Sequence, residues 1–326
     1  MKYRAVVAAM MAGVLGMAAG GAVLASGYPS KPVRVIVPYV AGGAADITAR
    51  VIAQKLSVSM GATFVVENKP GANGMIGTDF VAKAAPDGYT LLLDASGPLV
   101  VNPSLYKKTP YDPVADLAPI SQITSYQYVL VVPQQSPIRS VDDLIAAARA
   151  KPGQVSYGSA GVGAGGHLAG ELLAVTTQTQ LAHIPYKGNA QALTDVLGGQ
   201  LSFTFDTVVT ATPHLRSGKL RGYAVTGPRR APGLPDIPTM EELGYKDFVV
   251  TQFQGLLAPA GTDPAILSRL HEEVVKAARQ PDVIQKLQTE GGNEIVAGTP
   301  QEFARLIQED LQRYRKLIAD AHVQAE

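Results

Sequence analysis

Apolar positions along this chain recur with two periods, and the order in which those periods appear predicts a fold class. Val33 to Val37 is a β-branched run that stops at Pro38, the mark of a strand. After the glycine-bearing stretch 39–43, apolar residues return at helical spacing from Ala44 to about Ser59. That spacing places Ile47, Val51, Ile52 and Leu56 on one face. Thr63 to Glu67 reads as the next strand, the cluster from Asn68 to Gly74 as a turn, and Met75 to Ala84 as a helix. Pro86-Asp87-Gly88 then turns the chain into a strand at Thr90 to Leu93. The β-α-β-α-β order predicts a parallel sheet with right-handed crossovers.

A second series starts near Tyr128. Strands are predicted at Val129–Val132, Val155–Tyr157, Leu181–Ile184, Leu201–Phe205 and Leu220–Val225. Helices are predicted from Ser140, whose spacing to Asp143 resembles a capping box, to Ala150, and over His167 to about Val175. Shorter helices are expected near 190–197 and 212–217. A late strand follows near Thr251 to Leu257, and Asp263-Pro264 and Thr299-Pro300 open the last two helices. Two α/β series in 326 residues imply two similar lobes, with the chain crossing between them near 127 and 250. The expected division is 28–126 with 250–326 as one lobe and 127–249 as the other. In open α/β sheets ligands bind beyond the carboxyl ends of strands, so the cleft between lobes is the expected site.

Composition narrows the function. Twenty-eight basic residues against 27 acidic ones give a formal charge of +1, with no basic excess to neutralise a nucleic-acid backbone. Cysteine is absent, which removes thiol nucleophiles, disulfides and thiolate metal sites. The amino terminus looks like an address: Lys2 and Arg4 precede an apolar run from Ala5 to Ala25 that ends in small residues. Residues 1–25 are expected to be a signal peptide that is cleaved, although the run is also long enough for an uncleaved anchor. Cleavage would remove two basic residues, leaving a near-neutral exported chain at −1, located in the periplasm and expected to be monomeric.

Two loops carry the candidate chemistry. The first runs from Pro38 to Asp46 and includes Tyr39, Ala41, Gly42, Gly43 and Ala44; the second runs from Gly158 to His167 and includes Ser159, Gly161 and Gly163. Each follows a strand and opens a helix. The free N–H groups and dipole of a helix start favour an anion, and small residues admit a ligand close to the backbone. Neither loop contains Lys or Arg, so such sites would hold a carboxylate through neutral donors. The plainer reading is that the glycines only permit tight turns. Asp46, in the first helical turn, fits a capping or loop-ordering role as well as ligand contact. Further candidates at strand ends are Ser96, Lys187 and Asp206 followed by Thr207; Phe253 fits core packing or the cleft wall.

Other chemistries find weaker support. Gly161-x-Gly163-x-x-Gly166 has the dinucleotide-loop spacing, but the acidic residue expected about 20 positions later is missing. Ser159 sits in a near nucleophile elbow whose first glycine position holds Tyr157; His167, His183, His214 and Asp206 are the partners a triad would draw on. No metal-ligand spacing occurs among the five histidines, and no cofactor is expected.

An ordered set of segments resembles one family. Pro38 to Asp46 fits its P-x-x-x-G-G-x-x-D loop, Val65 to Ala72 its V-V-E-N-x-P-G-A turn, and Pro86 to Leu91 its P-D-G-Y-T-L. His183-Ile184-Pro185-Tyr186-Lys187-Gly188, Leu234 to Thr239 and Leu257 to Thr262 continue the match. The chain resembles the Bug (TctC-like) substrate-binding proteins of tripartite tricarboxylate transport systems over nearly all of its length after the signal. The resemblance implies a two-lobed periplasmic-binding-protein fold (Venus flytrap, type II) that closes over a small organic acid, with membrane permease subunits as partners and no catalysis. It carries Tyr39, Ala41, Gly42, Gly43, Ala44 and Asp46 as ligand contacts from one lobe, and Ser159, Gly161, Gly163, His167 and Asp206 from the other. An orphan sensor presenting the acid to a signalling protein fits the same residues, and a nucleotide-dependent or hydrolytic enzyme is the alternative of another class. The sequence departs from the family where an aromatic-rich stretch often carries Trp; here it reads Phe253-Gln254-Gly255, and Val40 is bulkier than the commoner Pro or Ala.

Overall fold

The computed structural model describes residues 27–186, 188–321 and 323. The expected signal segment 1–25 and the candidate Lys187 lie outside the described residues.

Strands β1 (Val33–Val37), β2 (Phe64–Asn68) and β3 (Thr90–Ala95) pair in parallel as predicted, with β1 in the middle. The helices between them are α1 (Ala44–Met60) and α2 (Met75–Ala82), followed by the short α3 (Asn102–Leu105). Strand β4 departs from prediction. It spans Leu117–Pro133, seventeen residues, where the sequence pattern marked only Val129–Val132. The polar stretch Ser121 to Gln127 hides its amino-terminal half from a periodicity reading, yet the backbone pairs with the late strand 251–259 apart from two register shifts, at Ile120 and Ile123. Next come α4 (Val141–Ala150), β5 (Ser156–Ser159), α5 (Gly165–Thr177), β6 (Ala182–Pro185), α6 (Asn189–Leu197), β7 (Phe203–Thr207), α7 (Val208–Arg216) and β8 (Leu220–Val225). Strand β9 (Thr251–Pro259), α8 (Pro264–Ala278), α9 (Pro281–Ile284), β10 (Glu294–Ile295) and α10 (Pro300–Asp320) complete the chain.

The sheet order is β2-β1-β3-β9-β4-β7-β5-β6, with β8 and β10 also on β4. The parallel expectation therefore needs correcting to a mixed sheet: β4 is antiparallel to β7, β8, β9 and β10. The reason is connectivity. The chain crosses out in β4 and returns in β9, so those two strands lie side by side and run in opposite directions. Residues 117–127 of β4 pair with β9, and residues 128–131 pair with β7. One strand thus belongs to both halves of the molecule.

Alternation divides each half into two cores. Val35, Val37, Leu91 and Leu93 face α1 and α8, while Ile36 and Leu92 face α3 and α10. In the other half Leu130, Phe203 and Phe205 face α4 and α5, and Val129 and Val131 face α6 and α7. The predicted face of α1 is rotated in the structure. Ile52 and Leu56 are buried together with Ala45, Ala49, Ala53 and Met60, but Ile47 is 41% exposed. Small alanines let α1 approach the sheet closely, which a reading weighted to large apolar residues passes over. Phe253 resolves as core, edge-on to Phe303 at 5.3 Å between ring centroids.

Candidate functional site

The first loop is built around Asp46. Its Oδ2 accepts the Gly42 N–H and the Arg50 Nε–H, both at 2.9 Å, and its Oδ1 accepts from Asn68 Nδ2 at 2.9 Å. Asn68 also donates to the Tyr39 carbonyl at 3.0 Å. Asp46 is 3% exposed. Burial pushes its pKa up, but the Arg50, Gly42 and Asn68 hydrogen bonds overcome this and hold it at about 2. Asp46 therefore orders the loop, and the Gly42 N–H is spent on it rather than free for a ligand. Gly42 has φ +83°, a conformation that other residues reach only with strain. The turn delivers Ala41, Gly42 and Ala44 to the surface and leaves Gly43 as an N-cap without a side-chain bond. Among the described residues no acceptor takes the N–H groups of Gly43, Ala44 or Ala45.

The second loop is tied from within as well. Ser159 Oγ accepts the Gly161 N–H at 3.1 Å and lies 2.7 Å from His183 Nε2. His167 Nδ1 accepts the Gly163 N–H at 3.1 Å. The N–H groups of Gly161 and Gly163 are thus also spent internally. Those of Gly165, Gly166 and His167 at the uncapped start of α5 have no acceptor among the described residues. Packing explains the glycines here. A Cβ on Gly165 would lie 2.2 Å from the Tyr128 hydroxyl, and one on Gly166 would lie 2.5 Å from the Phe205 carbonyl oxygen.

Residues 126–128 of β4 join the two loops. Tyr128 meets the start of α5 at Gly165, and its ring centroid is 6.0 Å from that of Tyr126. Tyr39 is half-buried within electrostatic reach of Asp94, Tyr126 and Tyr111, and burial followed by these neighbours holds its hydroxyl well above the ordinary tyrosine range. The start of α5 therefore adjoins the point where β4 passes from one half-sheet to the other, and Tyr39 of the first loop is within electrostatic reach of the same point. A Cβ on Gly163 would lie 2.8 Å from Leu105 Cδ2, so the second loop also abuts α3 of the first half.

The remaining candidates fall beneath the surface. Ser96 is fully buried, and its Oγ accepts the Phe253 N–H at 2.9 Å, tying β3 to β9. Asp206 is 1% exposed; its Oδ2 accepts from Thr210 on α7 at 2.7 Å, and its Oδ1 has no partner among the described residues. Burial raises its pKa to about 6. The Ser159–His183 contact is what a hydrolytic dyad would need. Ser159, however, is 1% exposed with its oxygen occupied by its own loop, and the hydrogen bonds of Asp206 run to α7 rather than to either histidine. A cavity of about 600 Å³ beside β4 and β9, lined by Gln122, Gln127, Arg229, Glu294 and Asp310 among others, includes Tyr126 and Phe253 but no residue of the two loops.

Sequence reasoning missed Asp94. It is fully buried, accepting from Thr78 Oγ1 at 2.7 Å and from the Ala95 N–H at 2.8 Å, and burial pushes its pKa up to about 7. A lone acid closing the run Leu91-Leu92-Leu93 was the available signal. The folded state holds a proton there that the unfolded chain releases near pH 4, so this group costs stability as pH rises from 4 through 7. Asp94→Asn is therefore expected to gain stability relative to the parent across that range, because Thr78 can accept from the amide while donating to the Gly74 carbonyl at 3.0 Å. Urea unfolding at pH 4.5 and pH 8 checks this; an equal difference at both values would contradict it.

Two α/β halves joined by β4 and β9, with uncapped helix starts facing their junction, define the class of two-lobed solute receptors. A family model described as the tripartite tricarboxylate transporter family receptor matches residues 48–323, and the chain belongs to that family. Protein BugT of Bordetella pertussis is 38% identical over 299 residues, covering 91% of each chain. Among solved structures, R. palustris Rpa4515 with adipate is 33% identical with a TM-score of 0.82, covering 91% of this chain and 99% of its own. The periplasmic binding protein BugD is 35% identical, TM-score 0.79, covering 92% and 100%. MatC (Rpa3494) of Rhodopseudomonas palustris with bound malate is 30% identical, TM-score 0.78, covering 89% and 100%. The family is one of receptors, not enzymes, and BugD is a periplasmic binding protein.

Proposed function

We infer that this protein is exported to the periplasm, captures a small organic acid between its lobes, and delivers it as a monomer to the membrane permease subunits of a tripartite transporter. The lobes are residues 28–126 with 250–326, and 127–249. One observation carries the reading: two long helices, α1 and α5, start without side-chain caps, each with three N–H groups that no described residue accepts, α5 beginning against Tyr128 and α1 following a loop whose Tyr39 is within electrostatic reach of Tyr126. Backbone donors of this kind take a carboxylate without a lysine or arginine. The adipate and malate held by two structural relatives support an acid of that size. Binding favours the closed arrangement only to the extent that the acid touches both lobes, which is what couples capture to recognition by the permease.

The test is a thermal-shift screen of small mono- and dicarboxylic acids beside their amides. An acid at 100 times its Kd is expected to add about 2.7 kcal/mol of stability, while its amide adds little. Equal stabilisation by acid and amide would argue against an anion site at the helix starts.

A further inference from the structure

His183 lies on β6, outside both candidate loops, and its contacts converge on the second one. Its Nε2 is 2.7 Å from Ser159 Oγ, the atom that accepts the Gly161 N–H and lies 3.0 Å from the Gly161 carbonyl. Its ring packs against two others: Tyr157 of β5 is 5.0 Å away between centroids and tilted by 35°, and His167 of α5 stacks at 4.0 Å with an interplanar angle of 28°. His167 in turn accepts the Gly163 N–H. The parallel register β5–β6, with Tyr157 opposite His183, sets this geometry.

We propose that His183 is the positioning residue of the ligand loop: it holds Ser159 directly and His167 by stacking, and so pins the loop at Gly161 and at Gly163 together. The proposal rests on the reading that the start of α5 receives the acid. With both ends pinned, the N–H groups of α5 keep one direction before any ligand arrives, so less ordering is needed on binding. The arrangement needs uncharged rings. A protonated His167 could not accept from Gly163, and two charged imidazoles 4.0 Å apart in a buried site would repel. Burial first, and for His167 the neighbouring His183, lower these pKa values to about 3 for His167 and about 4 for His183. The other titratable groups here are Tyr157, whose hydroxyl donates to Glu171 at 2.7 Å, and Glu171 itself, 3.6 Å from His167 Nε2 and raised by burial.

The experiment follows the backbone amides of Gly161 and Gly163 by hydrogen exchange in the full ligand-free chain, with adipate and malate titrations run in parallel. In His183→Leu both amides are expected to lose protection about tenfold, as one lost hydrogen bond predicts, while amides in β1 and α1 keep theirs. In His183→Gln, which restores a polar atom near Nε2, protection of Gly161 is expected to recover. Ser159→Ala is the second variant: it is expected to expose Gly161, and adding His183→Leu to it is expected to expose Gly161 no further. Unchanged protection in His183→Leu, or independent additive losses in the double variant, overturns the proposal. Loosened glycines with unchanged binding of whichever acid the parent takes would leave the positioning role standing and instead count against α5 as the acid's seat.

Discussion

Replacing Asp46 with alanine is expected to destabilise the protein by about 1–3 kcal/mol, since the exposed Gly42 N–H and the half-buried Asn68 amide each lose a hydrogen bond to a carboxylate. It is also expected to abolish measurable binding of the acid. The two losses have one cause. Asp46 fixes Gly42 at positive φ and links the loop to the end of β2 through Asn68, so removing it frees the segment that presents the α1 start. The pH dependence has a defined sign. Held at about 2 when folded against 3.8 in the reference state, the carboxylate contributes stability that is complete above about pH 4 and is lost as pH falls toward 2. Arg50 is half in solvent, with its side chain 53% exposed, so this contribution is on the order of 1–2 kcal/mol. Chemical denaturation of the parent and Asp46→Ala at pH 7 and pH 3 measures both effects. A variant as stable as the parent at pH 7 with normal acid affinity would remove Asp46 from the account.

Gly166→Ala is expected to have the second large effect. Its new Cβ would lie 2.5 Å from the Phe205 carbonyl oxygen, a backbone atom of β7 that cannot swing aside. Helix α5 must lift from the sheet, at about 1–3 kcal/mol for overpacking a close contact. The lift also turns the unpaired N–H groups of Gly165 and Gly166 away from Tyr128. Acid affinity is therefore expected to fall more than tenfold, beyond the loss of stability. Gly198→Ala is the control: φ is −78° and no atom lies nearer its Cβ than 3.5 Å, so stability is expected to hold or rise slightly. Calorimetric titration of the two variants separates them. Equal affinities would mean that the start of α5 is not part of the binding surface.

The elements that periodicity places well are those whose neighbours lie nearby in sequence. Strands β1, β3 and β7 alternate or run apolar because nearly all of their residues are buried between neighbouring strands of the sheet. The last helix starts at Thr299-Pro300 as expected, and the structure adds a capping box there, with Glu302 accepting the Thr299 N–H at 2.8 Å. The reading weakens where a partner comes from far along the chain. The polar half of β4 is a strand because β9, more than a hundred residues later, pairs with it; Thr124 and Thr48 both reach Gln254 in that region. Ile47 looks inward by spacing, but alanines set how closely α1 approaches the sheet.

The loops show the same division in finer detail. That glycines and alanines lead into α1 and α5, and that no cation accompanies them, is written in the sequence. Backbone chemistry then makes each helix start a seat for an anion wherever the loop is left uncapped. Which N–H groups remain free is decided by the fold. Asp46 takes that of Gly42, Ser159 that of Gly161 and His167 that of Gly163, while Ser96 and Asp206 turn into the interior.

By itself, then, the chain determined its elements, its two α/β series and the neutral, glycine-lined character of two helix starts, because these depend on backbone stereochemistry and local spacing. Only the tertiary structure brought the start of α5 against Tyr128, Tyr39 of the first loop within reach of Tyr126, and His183 against Ser159. The first two come from β4 and β9 lying side by side across more than a hundred residues and the last from the pairing of β5 with β6, and strand pairing between separated segments leaves no period in the sequence to read.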